Sequence, residues 1–273
     1  MISTPENYFL KKPRYLDNPH GWIPHIPFGF FLMEKIRPSM VAELGTYSGN
    51  SYFAFCQAAK DLKIQTKCFA IDTWMGDIHV GDYSEAIFER VREINQGEFE
   101  TFSSLLRMPF DKALPRFKDG SIDLLHIDGT HTYEAIKHDF ESWLPKMSGR
   151  GIILLHDTQV RRPDFGVWRF LEEIKESYPI MEFPFSEGLA MVGAGKKPDR
   201  EILAFIKKTH DNPEIIQWFE KLGQNLLLSR ENELFRKEVI KIRDKSARLN
   251  TDLLVKKKEI KRLRRRNSSL RNR

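Results

Sequence analysis

Two stretches of the 273-residue chain place ionisable side chains where apolar runs stop. In "LLHIDGTHTYEAIKHDF", residues 124–140, a strand-like run ends on Asp128, and His131 follows three residues later. In "GIILLHDTQV", residues 151–160, a second run ends on His156, Asp157 and Thr158. Two carboxylates at the ends of neighbouring strands can hold a divalent cation through oxygen, as Mg²⁺ prefers. Either one alone is as readily a turn residue or a helix N-cap. A histidine, with its ordinary pKa of about 6.5, is suited to taking a proton from a hydroxyl. His131 could equally cap the helix that begins near Thr132.

Two further clusters lie upstream. "VAELGTYSGNSYFAF", residues 41–55, sets Glu43, Gly45, Thr46, Tyr47, Ser48, Gly49 and Ser51 around a strand-to-helix turn. Glycine there permits positive φ or close approach of a ligand to the backbone, and the following helix offers free N–H groups. The spacing is neither that of a P-loop nor G-x-G-x-x-G, and the acidic Glu43 argues for an amino-bearing or cationic ligand over a pyrophosphate. Asp72 ends "CFAID", where an acidic side chain commonly accepts hydrogen bonds from ribose hydroxyls. Trp74 could cover an adenine face or belong to the core.

These residues need a frame to converge. "MVAELG", "CFAID", "IDLLHID" and "GIILLHD" are near-continuous apolar runs, as in parallel strands covered by helices on both faces. Helical patterns occupy 50–61, 83–95 and 133–144, the last with Ile136, Phe140, Trp143 and Leu144 on one side. "FGVWRFLEEIKESY" predicts another helix, and "IMEFPF" and "GLAMVGAG" predict two closing strands. The sum is a doubly wound, Rossmann-like α/β fold with a seven-stranded, mostly parallel sheet, in which ligands bind at the carboxyl ends of the strands. Gly45, Asp72, Asp128 and Asp157 all fall there. Ahead of the first strand, "NPHGWIPHIPFGFFLMEKIRPS" reads as a substrate wall or lid, or as a packed cap over about residues 1–40. The predicted α/β domain spans 1–198.

Beyond residue 198 the character changes. Residues 199–222 predict a helical linker broken at "HDNPE", and 223–273 predict a basic parallel coiled coil, dimeric. Its a positions are Asn225, Asn232, Val239, Ser246, Leu253, Ile260 and Asn267. Its d positions are Leu228, Phe235, Ile242, Leu249, Lys256, Leu263 and Leu270. The net charge of +6 belongs to this tail: residues 231–273 carry +10 and the remainder −4. An acidic main domain gives no basis for nucleic-acid binding. The "KKKEIKRLRRR" stretch could rest on anionic lipid headgroups or simply be solvated. No apolar run is long enough to span a membrane and no secretory signal pattern opens the chain, so the expectation is cytoplasmic, peripheral to the inner face of the membrane. Cys56 and Cys68 read as reduced core thiols.

"ELGTYSGNS", "AIDTW" and "LLHIDGTHTYEAIKHDFESWLPKMSGRGIILLHDT", in that order, resemble class I S-adenosylmethionine-dependent methyltransferases over residues 20–195. The resemblance is to small O-methyltransferase-like domains with an HIDG-x-H-x-Y…HDT signature, related to metal-dependent catechol-type and macrolide and rhamnosyl O-methyltransferases. It implies S-adenosylmethionine as cofactor, with the Glu43–Gly49 turn and Ser51 around its methionine part. Asp72 would hold the ribose, Trp74 and Met108–Phe110 would lie near the adenine, and Asp128 would border the cofactor. It also implies His131 as general base and Asp128 and Asp157 as ligands of Mg²⁺ or another divalent cation. Metal-binding relatives carry Glu-Asp or Asp-Asn where this chain has His156–Asp157–Thr158, which leaves His156, Thr158 or water as third ligand. The acceptor implied is a hydroxyl on a glycan of surface-polysaccharide assembly, or on a small secondary metabolite. The non-enzymatic alternative is a ligand-binding head on a coiled-coil scaffold.

Overall fold

Each apolar run that stops on Gly or Asp is a strand whose end opens at one edge of a central sheet. The computed structural model describes residues 7–79 and 81–271. Strands β1 (Met40–Leu44), β2 (Lys67–Asp72), β3 (Ser103–Arg107), β4 (Ile122–Ile127), β5 (Met147–His156), β6 (Ile180–Phe183) and β7 (Leu189–Gly193) pair in the order β3-β2-β1-β4-β5-β7-β6. All neighbours are parallel except β7, which runs antiparallel to both β5 and β6. The first crossover leaves β1 toward β2 and the chain later returns to β4 on β1's other side. The ends of β1 and β4 therefore bound the switch point at which doubly wound sheets bind ligands.

Helices cover both faces, which is why β4 is buried along its whole length. One face carries α1 (Ile26–Ile36) and α2 (Asn50–Asp61), with Phe28, Phe30, Phe53, Phe55 and Phe183 in one apolar cluster. The other carries α3 (Tyr133–Trp143) and α4 (Val167–Ile174), with Phe140, Trp143 and Phe170 in a second cluster. Thr132 caps α3, its hydroxyl accepting from Ala135 N at 3.2 Å. That satisfies one of the free N–H groups of the first turn, an interaction contributing about 1 kcal/mol. The helix predicted over 83–95 is found as Glu85–Glu98.

The segment ahead of β1 is a packed cap whose Trp22, Ile23, Ile26 and Phe28 are all buried, and residues 1–6 of the predicted cap lie outside the described residues. The helix Arg200–Asp211 and the start of the helix Glu214–Arg271 pack on the same cluster through Ile202, Ile206 and Phe219. The first compact unit thus runs to Leu227 where the sequence reading drew its boundary at 198; the Ile202/Ile206 pair, one helical turn apart, docks the segment assigned as linker. At Gly223 the helix comes so close to the cap that a Cβ would stand 2.1 Å from Pro24 O.

The second unit, Leu228–Arg273, is helical through Arg271. Leu228, Phe235, Ile242, Leu249, Leu253 and Ile260, all assigned to the heptad seam, are exposed in the single chain. The seam side chains assigned at Leu263, Asn267 and Leu270 lie outside the described residues. Among the described residues, no helix is long and apolar enough to cross a membrane.

Candidate active site

The turn after β1 is fixed by main-chain contacts to both neighbouring strands. Gly45 N donates to Ile71 O at 2.9 Å, and Asp128 N donates to Leu44 O at 2.8 Å. Gly45 has φ +85°, and a Cβ there would lie 2.0 Å from Asp128 O, so only glycine fits. Asp72 organises the same turn from β2: its Oδ2 accepts from Thr46 N and Tyr47 N, each at 2.9 Å, and its Oδ1 accepts from Trp74 N at 2.7 Å. Burial raises the Asp72 pKa, opposed by these backbone donors. Thr73 N adds a further backbone donor, so a ligand hydroxyl at Asp72 would share an acceptor oxygen with the turn.

Two cavities adjoin at this edge. The inner one, about 230 Å³, is bordered by the turn residues Gly45–Ser48 and Ser51, by His156 and Asp157 at the end of β5, and by Trp22 of the cap. The second, about 270 Å³, is bordered by Asp72, Pro109, Phe110 and Gly129. Gly45, Tyr83, Asp128 and His131 border both, so the two spaces meet at the ends of β1 and β4.

At that junction, His131 Nε2 stands 2.7 Å from Asp157 Oδ2 and 3.5 Å from Asp128 Oδ1. His156 Nδ1 stands 3.3 Å from Asp128 Oδ1 and 3.6 Å from Asp157 Oδ1. Phe165 stacks on His131 with centroids 4.9 Å apart and planes 2° from parallel. Asp157 holds a left-handed backbone, φ +61°, which a non-glycine residue adopts at a cost and which turns its carboxylate at the strand end. Burial by itself would lower His131, but Asp128 and Asp157 outweigh it and raise its pKa to about 10. Asp157 is held down at about 2, the two histidines overcoming burial. The two carboxylates thus hold His131 well above the ordinary imidazole value of about 6.5 and favour its protonated form.

Glu43 departs from its assigned place. It is fully buried behind the turn and borders neither cavity. The register pairs Glu43 with His126 across β1 and β4. Trp22 Nε1 donates to His126 Nε2 at 3.0 Å, which leaves the Nδ1 proton to donate to Glu43 Oε2 at 2.8 Å. Glu43 Oε1 has no protein partner, and burial raises the Glu43 pKa.

Four other candidate residues also stand off the cavities. Trp74 is 1% exposed, donates from Nε1 to Tyr47 O at 2.9 Å and packs on Phe88: it braces the turn from the core. Met108 borders neither cavity, while its neighbours Pro109 and Phe110 border the second. Thr158, assigned as a possible third ligand, is fully buried against the Gly188 turn and also borders neither cavity. Gly49 caps α2 at φ +85° without reaching a cavity. His79, Arg162, Phe165 and Glu187 border the inner cavity without having been singled out from sequence. They come from loops, where no periodicity signals a site.

Residues 42–158 match the family model of a methyltransferase domain. The matched span runs from β1 to the end of β5 of the β3-β2-β1-β4-β5-β7-β6 sheet. The chain is 44% identical over 212 residues to the uncharacterized protein y4gI of Sinorhizobium fredii, covering 78% of this chain and 23% of that one. It therefore spans about a quarter of the length of that curated relative. Solved structures with similarity include the S-adenosylhomocysteine-bound methyltransferase PaMTH1 of Podospora anserina: 18% identity, TM-score 0.49, 62% of this chain and 76% of that one. Another is the O-methyltransferase TomG of Streptomyces achromogenes in complex with S-adenosylmethionine: 14% identity, TM-score 0.48, 66% and 82%.

Proposed function

We propose that the domain is an S-adenosylmethionine-dependent O-methyltransferase acting on a hydroxyl of a sugar or glycan. The observation that carries this reading is the junction of the two cavities at Asp128 and His131. The second cavity suits the adenosine, with Asp72 able to take a ribose hydroxyl and Phe110 at the base. The inner cavity suits the methionine tail beside Ser48 and Ser51, and the acceptor beside His131 and Asp157. Ser48, Asn50, His79, Asp157 and Glu187 give the largely apolar inner cavity partners for the hydroxyls of a sugar, whose ring faces would pack on Trp22, Tyr47, Tyr83 or Phe165.

The bound sulfonium supplies an activated methyl group, so the chain's own residues chiefly align the reactants and handle a proton. Bound there, the cofactor would offer its methyl carbon to the acceptor oxygen, the carbon–sulfur bonding pair being left on sulfur. In the neutral ring the hydroxyl proton would pass to His131 Nδ1, which has no hydrogen-bond partner, while Nε2–H donates to Asp157 at 2.7 Å. A cation arriving beside Asp128 competes for the carboxylate that holds the imidazole proton, and so moves His131 back toward neutrality.

A divalent cation fits the same cluster, because ligand atoms of Asp128, His131 and Asp157 lie within 4.8 Å of one another. Two carboxylates and an imidazole suit a borderline transition metal better than Mg²⁺. Such an ion would polarise the acceptor hydroxyl, with His131 then a ligand. The deciding experiment is methyl transfer from labelled S-adenosylmethionine to a panel of glycans and phenolics, with EDTA and with Mn²⁺. Transfer to glycans supports the reading, transfer to phenolics alone replaces the acceptor, and no transfer with intact cofactor binding favours a ligand-binding head.

The exposed seam of the second unit supports pairing with a second copy as a parallel coiled coil, since Leu and Ile at these positions otherwise face water. Its basic residues would give the pair affinity for anionic lipid.

A further inference from the structure

On the acidic main domain an arginine patch opens beside the acceptor cavity. A surface groove of about 500 Å³ is bordered by Arg161, Arg162, Arg169, Tyr133 and Trp168, where the loop after β5 meets the start of α3. Arg162 and Phe165 border both this groove and the inner cavity, so a single acceptor can reach from one into the other.

The guanidinium groups are set out by aromatic rings. Arg161 lies over Trp168 at 4.9 Å, Arg162 over Phe165 at 5.5 Å and Arg169 over Tyr133 at 4.3 Å, each measured to the ring centroid. Stacking fixes the planar fork while leaving its edge N–H groups for a ligand. Arg161 spends one donor on Thr158 O at 2.7 Å. All three arginines are exposed. Two carboxylates also border the groove, Glu134 and Asp164, and Asp164 stands 3.3 Å from His79 Nε2. Glu187 shares the inner cavity with Arg162. Glu187 acts on Arg162 and Glu173, which accepts from the Tyr133 hydroxyl, acts on Arg169, so what distinguishes the groove is three guanidinium forks held on ring faces along one wall.

Taking the methyl-transfer reading as its basis, we propose that this groove binds a phosphoryl group carried by the acceptor, making the substrate a phosphate-linked hydroxyl compound. A phosphoryl group offers several oxygens to several forks at once, which the paired geometry of guanidinium and phosphate rewards. The phosphoryl group would sit at Arg161, Arg162 and Arg169, with the reacting hydroxyl at His131.

The test uses the full chain and inorganic pyrophosphate as probe, by calorimetric titration in the presence of S-adenosylhomocysteine. The expected result is saturable binding that weakens about tenfold or more in the Arg161→Gln/Arg169→Gln double variant, with S-adenosylhomocysteine affinity and circular dichroism unchanged. Succinate is expected to bind at least about tenfold more weakly than pyrophosphate, for want of multiple forked contacts. Absence of pyrophosphate binding in the wild type, equal binding in the variant, or equal binding of succinate overturns the proposal. Failure of S-adenosylhomocysteine to bind, with the pyrophosphate result intact, refutes the cofactor reading and leaves the anion site standing.

Discussion

His131 Nε2 lies 2.7 Å from Asp157 Oδ2, joining the loop after β4 to the end of β5 across the mouth of the sheet. Phe165 holds the ring from one face, so the imidazole is oriented by a carboxylate and fixed by stacking. If His131 takes the acceptor's proton, His131→Ala lowers kcat by about 10²–10⁴. S-adenosylhomocysteine affinity is expected to stay within about threefold, the margin of a small change in a neighbouring contact. Single-turnover rates and a parallel titration separate the two effects, and unchanged turnover removes His131 from the chemistry.

The turn at Gly45 is expected to tolerate no side chain. Gly45→Ala forces a Cβ to within 2.0 Å of Asp128 O at φ +85°, and loss of several kcal/mol of stability or of cofactor binding follows. Gly120→Ala is the control: its φ is +71° but a Cβ there meets nothing within 4 Å, so only about 1 kcal/mol is expected. Urea denaturation of both variants measures the difference.

The Trp22–His126–Glu43 chain couples the cap to the first turn. His126→Phe strands a buried carboxylate and a buried indole N–H, a cost of about 3 kcal/mol or more. Trp22→Phe removes one donor and part of a buried ring packed on Phe55 and His126, and is expected to cost about 2–4 kcal/mol. Equal denaturation midpoints for wild type and His126→Phe would show that the chain carries no stability.

At the opposite edge of the sheet, Asp123 gives a pH prediction. Its carboxylate accepts from Ser39 N at 2.7 Å, Ser148 Oγ at 2.7 Å and Arg150 Nη2 at 2.9 Å. Burial raises its pKa, but Arg150 and the two serines outweigh that and hold it at about 2, below the unfolded value of 3.8. A depressed carboxylate contributes stability above pH 3.8, and that contribution disappears as pH falls through about 2. Asp123→Asn is therefore expected to cost about 2 kcal/mol at pH 7, with the gap to wild type closing below pH 2. A gap independent of pH contradicts the linkage.

Much of the site was legible because buried parallel strands are continuous apolar runs, so the residues that end them stand out. Gly45, Asp72, Asp128 and Asp157 were located this way, and all border or brace the cavities. The orientation of individual side chains was not legible. Trp74 follows Asp72 by two residues, yet its left-handed backbone, φ +51°, turns it into the core. His126 reads as one more strand residue until β1 and β4 are laid in register, when it stands beside Glu43. Arg162 and Glu187 come from loops, and only the folded chain brings them to the cavity that the strands open.

The most direct test of the central claim is calorimetric titration of S-adenosylmethionine into the wild-type chain and into Asp72→Ala, each with and without Mg²⁺. The account predicts saturable binding at about one equivalent per chain in the wild type, and loss of about 1–3 kcal/mol or more in Asp72→Ala, where Thr46, Tyr47 and Trp74 each lose their acceptor. Wild-type protein that takes up no S-adenosylmethionine at millimolar concentration would contradict it.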